Sequence, residues 1–430
     1  MQGLTLWDIV QACQQHITQY YSESMADVNR MDRALPYLEK FVRDQGYAVD
    51  GMTNEELVRY IYQEMAEESI LTPLLKRDDL EEVNINRWDD IKVTTSDGHT
   101  YKLEEYFHSP KHAEDVLRRM LQRSGTIIDN TQPIAQGHMN GNIRMTVVKA
   151  PVMDADAGIS ASIRFLHPAR FDLKAIHDSQ MATQEMLDFL NTCVRYGISV
   201  CIAGETASGK TTLLNALLGN VPNEKRIVTI ETGSRELNLV KRRDGEVVNN
   251  VVNFLTRPSD NEKADITQER LVETALRYNP DVLCVGEMRN SEALTAISAS
   301  LSGHTVCSTI HSFAAETAYS RLVMLCQLKS DNDFATLLRQ SVQAFPIMVY
   351  TQKLEDHSRR IMDITEASIN AKGDPEFRTL YSYNVDLYSG DGKMSGAFEK
   401  NAIMSKALQK RLVQHGVPAQ DLREFIGDLT

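Results

Sequence analysis

The chain has 430 residues, 42% of them hydrophobic and 24% charged, an ordinary globular composition with material for two or three domains. Its formal net charge is −13, so it lacks the basic surplus with which sequence-independent nucleic-acid binders neutralise phosphate, and nucleic acid is not expected as its main partner. Its six cysteines form no CxxC pair, and Cys201, Cys284 and Cys307 sit in apolar runs; they read as reduced core thiols and exclude a four-cysteine zinc site.

The opening stretch, MQGLTLWDIVQACQQH, has no basic region and no long apolar segment, so it does not read as a signal peptide. No apolar run approaches the ~20 residues of a membrane span. A soluble protein is expected, meeting a membrane only through partners.

Residues 1–70 read as a helical region. Thr53-Asn54-Glu55-Glu56 is a capping box, and Leu57, Ile61 and Met65 follow on one helical face. Residues 71–166 read as a small α+β domain. EEVNIN and IKVTT alternate like strands, and the Asp97-Gly98 turn before TYKLEEY predicts a hairpin. HAEDVLRRMLQRSG is an amphipathic helix stopped at Gly125. NGNIRMTVVKAPV and GISASIRFL are strand-like again. Residues 167–182, with Pro168, read as a linker.

From 183 to 430 the pattern changes to α/β. A helix begins at Thr183, with Met186, Leu187, Leu190 and Val194 on one face and Gly197 at its end. The apolar runs SVCIAG, RIVTIE, DVLCVGE and TVCSTI alternate with helical segments such as SEALTAISASL. That alternation predicts a parallel sheet covered on both faces. After about residue 345, PIMVYTQKLE, SRRIMDITEA and FRTLYSYNV read as antiparallel strands, followed by a polar helical tail.

SVCIAG runs directly into Gly204-Glu205-Thr206-Ala207-Ser208-Gly209-Lys210-Thr211-Thr212, a fit to the phosphate-loop pattern G-x-x-x-x-G-K-[ST] between a strand and a helix. Its backbone N–H groups would converge on phosphate at the positive end of the new helix. Lys210 would reach the β and γ phosphates, and Thr211 would offer its hydroxyl to Mg²⁺. Three further strands end in Glu231, Glu287 and His311. Ligands gather at the carboxyl ends of parallel strands, and a carboxylate there can orient an attacking water. Glu236, Arg289 and His304 lie nearby in sequence.

In this order, GETASGKTTLLNALL, RIVTIETGSREL, ALRYNPDVLCVGEMRNSEAL and SGHTVCSTIHS resemble the Walker A, Asp, Walker B and His boxes of the secretion and pilus traffic ATPases of type II and type IV secretion. The likeness spans residues 71–350, and LLKRDDLEEVNIN upstream is similar to the start of that family's N-terminal domain. It implies a RecA-like ATPase domain that binds ATP and Mg²⁺, works as a homo-hexameric motor, and docks on an inner-membrane platform or secretion-channel protein at the cytoplasmic face. It also implies that Lys210 and Thr211 hold phosphate and Mg²⁺ and that Glu231, Glu287 and His311 support hydrolysis. Arg144 (NIRM) and Arg164 (SIRF) stand where the family uses arginines to clamp nucleotide, and the guanidinium fork suits phosphate oxygens. The sequence departs from the family at Ala207, often glycine, and in the Asp box. There Glu231-Thr232-Gly233 replaces Glu-Asp-Thr with one extra residue before Glu236, which leaves two glutamates as the candidate acid. The long N-terminal region and unpaired cysteines fit the pilus/conjugation branch. A non-hydrolysing assembly scaffold, a P-loop kinase and a DNA translocase are the competing readings.

Overall fold

The computed structural model describes residues 4–20, 35–139, 142–166, 172–257, 259, 261, 263–386, 390 and 392–426. The chain divides into two compact units, Met1–Leu166 and His167–Thr430.

In the first unit, helices Leu6–Tyr20, Leu35–Asp44 and Asn54–Ala66 bury Ile9, Cys13, Leu38, Val42, Leu57 and Ile61 in one core. The capping box forms: Thr53 N donates to the Glu56 carboxylate at 2.8 Å, and Glu56 N donates to Thr53 Oγ1 at 3.2 Å. These helices are tied to the α+β part of the same unit. From helix Pro110–Arg123, Arg119 Nη2 donates to Glu67 O at 3.1 Å and Arg123 Nη2 to Ala66 O at 2.7 Å. Two cations thus satisfy carbonyls at the end of helix Asn54–Ala66. Trp7 stacks on His108 with ring centroids 4.2 Å apart.

A six-stranded antiparallel sheet completes the unit: β1 (Leu80–Arg87), β2 (Asp90–Thr95), β3 (Thr100–Lys102), β4 (Ile134–Met139), β5 (Ile143–Lys149) and β6 (Ile159–Phe165), in spatial order β3-β2-β1-β6-β5-β4. Along β5 and β6 every second residue is buried. That is the period-2 signature of a sheet with one face on a core, here shared with helix Pro110–Arg123.

The second unit is built on nine strands: β7 (Val200–Gly204), β8 (Ile227–Glu231), β11 (Val251–Leu255), β12 (Val282–Met288), β13 (Thr305–His311), β14 (Ile347–Lys353), β15 (Arg359–Ile369), β16 (Pro375–Val385) and β17 (Gly396–Lys400). The short arms β9 (Arg242–Arg243) and β10 (Glu246–Val247) form a separate hairpin. Its Asp244 and Gly245 both have positive φ, the primed turn that matches strand twist. The large sheet runs β11-β8-β12-β13-β7-β14-β15-β16-β17. Neighbours are parallel from β11 to β14 and antiparallel from β14 onward. This is a RecA-like α/β core, with β13 inserted between β7 and β12.

β14 pairs antiparallel with β15, as its sequence leads one to expect, and on its other side it also joins β7 in parallel. Its first five residues are all buried, as befits a strand covered on both faces.

Alternate strand residues feed two cores. Val200, Ile202, Cys284 and Cys307 face helices Gln184–Arg195 and Lys210–Gly219. Cys201, Ala203, Leu283 and Val306 face helices Gln268–Leu276, Glu292–Leu301, Ala315–Gln327 and Phe334–Ala344. Within the segment 167–182, residues from Asp172 onward are described. That residue caps helix Leu173–Asp178, and Ile176, Met181 and Ala182 enter the first of these cores; residues 167–171 lie outside the described residues.

The tail is less polar in effect than its sequence suggested. Helices Lys406–Gln414 and Ala419–Ile426 bury Leu408, Leu412, Leu422 and Phe425. The buried Glu366 carboxylate caps their start, accepting from Ser405 N at 2.8 Å and from the Ser405 hydroxyl. Glu366→Ala leaves both donors without an acceptor and is expected to cost about 2–3 kcal/mol, read as a lower urea midpoint with an unchanged m-value. Among the described residues no helix is long and apolar enough to cross a membrane.

Candidate functional site

The site begins where β7 ends. All five residues of Val200–Gly204 are buried, so the chain leaves the sheet centre at its carboxyl edge and turns at once into helix Lys210–Gly219. The turn needs glycine at 204: a Cβ there would lie 2.4 Å from Thr351 O and 2.5 Å from Ser208 Oγ. Gly209 is the helix N-cap and offers no side-chain cap. The first-turn amides are therefore presented by backbone alone, the arrangement that receives anions. Lys210 Nζ donates to Gly204 O at 3.0 Å and Glu205 O at 2.6 Å. Thr211 and Thr212 are half-buried in the first turn, and Glu205 and Thr206 are exposed.

Ala207 has φ +62°. In this left-handed region a Cβ costs about 1–2 kcal/mol, so the surroundings must hold it. They do so through residues the sequence did not mark. Thr351 of β14 is fully buried and its Oγ1 lies 2.9 Å from Ser208 Oγ. Arg359 of β15 donates through Nε to Ala207 O at 2.9 Å. Thr351 left a faint signal, a hydroxyl at the end of the apolar run IMVY; Arg359 left none.

The register assembles the rest. His311 of β13 pairs with Gly204 on one side of β7, and Thr351 pairs with it on the other. His311 Nε2 lies 2.9 Å from Glu287 Oε1. Arg289 Nη2 donates to Glu287 Oε2 at 2.6 Å, and Gln268 Nε2 donates to the Glu287 carbonyl at 2.9 Å. Burial would raise the Glu287 carboxyl, but His311 and Arg289 together outweigh it and hold its pKa at about 2. Glu287 is thus an ionised carboxylate, fixed by two partners, next to the phosphate loop. His304 sits at the opposite end of β13, with Nδ1 3.3 Å from Ala299 O.

Glu231 ends β8, and its side chain turns inward. It is 4% exposed, and its Oε1 accepts from Glu236 N at 2.6 Å and Leu237 N at 2.9 Å. It braces the following loop and leaves Glu236 half-buried, close enough for its charge to act on Arg289. The neighbouring strand passes it closely, since a Cβ on Gly286 would stand 3.3 Å from Glu231 Cγ and push it aside by a few tenths of an ångström. Burial raises the Glu231 pKa to about 7, against the lowering effect of the two amides. Its folded pKa lies above its unfolded value of about 4.3, so the folded state binds the extra proton and stability falls as pH rises from about 4 to 7. Glu231→Gln is expected to remove that slope and to melt higher than the parent at pH 8. A parent melting temperature that is flat between pH 5 and 8 would refute this.

In the first unit, Arg144 of β5 pairs with Arg164 of β6, which pairs in turn with Glu82 of β1. His138 of β4 continues the row beside Arg144. Like charges set opposite each other cost stability, and Glu82 offsets part of that cost. The register thus brings the two arginines together on one half-buried face.

A phosphate loop at the carboxyl edge of a RecA-like sheet, with a carboxylate–histidine pair on the adjoining strands, defines a P-loop protein. The chain belongs to the type II/IV secretion system protein family, whose family model matches residues 69–383. It is 28% identical over 322 residues to the type IV secretion system protein PtlH of Bordetella pertussis, covering 68% of this chain and 92% of that one. A putative conjugal transfer protein of Mycobacterium tuberculosis is 28% identical over 319 residues, covering 71% and 86%. Among solved structures, the VirB11 ATPase of the Brucella suis type IV secretion system is similar at 21% identity with a TM-score of 0.35, covering 68% of this chain and 94% of that chain.

Proposed function

We propose that this protein is an ATP-hydrolysing hexameric motor, acting at the cytoplasmic face of a membrane to power protein secretion, conjugation or pilus assembly. The observation that carries this reading is the meeting of the phosphate loop with the Glu287–His311 pair at Gly204. Family membership supports a secretion-system machine.

ATP and Mg²⁺ fit the residues present. The loop offers backbone amides, Lys210 and a threonine hydroxyl in the places phosphate and a hard cation require. Lys210 would exchange its two carbonyl partners for phosphate oxygens, and Thr211 would be the protein ligand to Mg²⁺. The cation, when bound, neutralises charge on the β and γ phosphates. Glu287 orients the attacking water, and His311 holds Glu287 and reports nucleotide state along β13. Of the two Asp-box glutamates, Glu236 is the acid available to substrate, with Glu231 as its support. The partners are five further copies of the chain and an inner-membrane platform or secretion-channel protein; nucleic acid is not one of them.

A nucleotide-dependent scaffold without hydrolysis is the second reading, favoured by the strained Ala207. Phosphate release from Mg-ATP, together with solution mass measured with and without ATP, separates the two. Release with an ATP-dependent hexamer supports the motor. Assembly with no release, even with a membrane partner present, supports the scaffold. Strict dependence on a small phosphate acceptor would replace both with a kinase.

A further inference from the structure

The phosphate loop is gripped from the side opposite His311 by the β14–β15 hairpin. Arg359 opens β15, opposite Lys353 in the hairpin register, and its Nε–H reaches the Ala207 carbonyl at 2.9 Å across 152 residues of sequence. Its backbone is firmly set. Ile361 N donates to Met181 O at 2.8 Å, and the buried Arg360 lies over the Tyr383 ring at 5.7 Å. Met181 also closes on the loop, its Cε 3.1 Å from where a Cβ on Gly209 would stand, with Arg359 Cδ 3.5 Å from the same point.

The geometry of a peptide gives this contact a consequence. In a planar trans unit the carbonyl and the following N–H point in opposite directions. With the Ala207 carbonyl turned to Arg359, the Ser208 N–H is turned the other way, into the loop, where it donates to Glu205 O over a long 3.4 Å. Glycine at 207 would reach this backbone without strain, whereas alanine needs a restraint to stay in it.

We propose that Arg359 is a positioning residue for nucleotide binding: by pinning the Ala207 carbonyl it holds the alanine-containing loop in the conformation that aims the Ser208 amide at phosphate. Arg359 acts through Ala207, and its effect is on the affinity of the triphosphate. The proposal rests on the nucleotide reading above.

The test uses the full chain, Mg²⁺ and a fluorescent methylanthraniloyl-ATP probe, with KM and kcat for phosphate release measured alongside. Arg359→Met is expected to weaken probe binding and raise KM about tenfold, the scale of one lost charge-assisted hydrogen bond. Its kcat should stay within about threefold, because no group touching the reacting atoms changes. Ala207→Gly is measured alone as the reference for the double variant. Added to Arg359→Met, it should recover affinity to within about threefold of the parent, since glycine needs no restraint. Arg359→Lys keeps charge and stem but not the Nε–H, and serves as the arginine variant should Arg359→Met not fold; it is expected to rescue only in part. Parent-like affinity in Arg359→Met, or effects of the two substitutions that simply add, would overturn the proposal. Lys210→Ala separates the two levels. If it still binds probe like the parent, the nucleotide reading itself fails; if it loses binding while Arg359→Met does not, only the role of Arg359 falls.

Discussion

Lys210→Ala is expected to lower phosphate release from Mg-ATP by at least about a hundredfold, the scale of losing one preorganised donor at a developing negative charge. Lys210 is 7% exposed and spans the loop, bonded to Gly204 O and Glu205 O. It is the one cationic side chain that the loop pattern itself supplies. Removing it takes one donor from each carbonyl, although Glu205 O still accepts from Ser208 Oγ at 2.9 Å, so some loosening of the loop is expected. The fold should persist, because the strand and helix on either side are anchored by fully buried Ile202, Leu213 and Leu217. Near-parental melting with turnover lost is the predicted outcome. Hydrolysis retained in this variant would place the active site elsewhere.

Glu287→Gln is expected to be comparably severe for turnover, again about a hundredfold or more, while Mg-ATP still binds. The substitution keeps size and removes charge, so binding and hydrolysis should separate. A variant that turns over at the parental rate would reject the role given to Glu287. The same residue makes a second prediction through its pKa of about 2. Its folded pKa is depressed, so the stability it contributes is present above its unfolded value of about 4.3 and is lost as pH falls from there toward 2. Glu287→Gln should lack that acid-side loss. At neutral pH the carboxylate is ionised throughout, so any pH dependence of activity near 7 must come from other groups.

Much of this site was legible in the order of residues. A glycine-rich turn between an apolar strand and a helix is a local object, set by backbone conformation and by the amides of a helix start. Strands ending in Glu231, Glu287 and His311 could be read because buried parallel strands are short apolar runs whose polar terminus marks the sheet edge. Glu231 is the residue where that reasoning reached its limit. A strand-end carboxylate looks the same in sequence whether it faces solvent or turns inward to hold the amides of residues 236 and 237. Spacing cannot distinguish these, because the difference lies in how the loop after the strand folds back.

The sequence by itself determined the phosphate loop, the alternation that makes a doubly covered sheet, and the capping box at Thr53, since each rests on contacts within a few residues. Only the tertiary structure decided that β14 joins the parallel set beside β7, that Arg144 and Arg164 face each other across β5 and β6, that His311 and Thr351 flank Gly204, and that Arg359 reaches back to Ala207. These depend on strand order and register between segments more than a hundred residues apart in several cases. No local propensity encodes them; they follow from which buried faces fit together once the sheet forms.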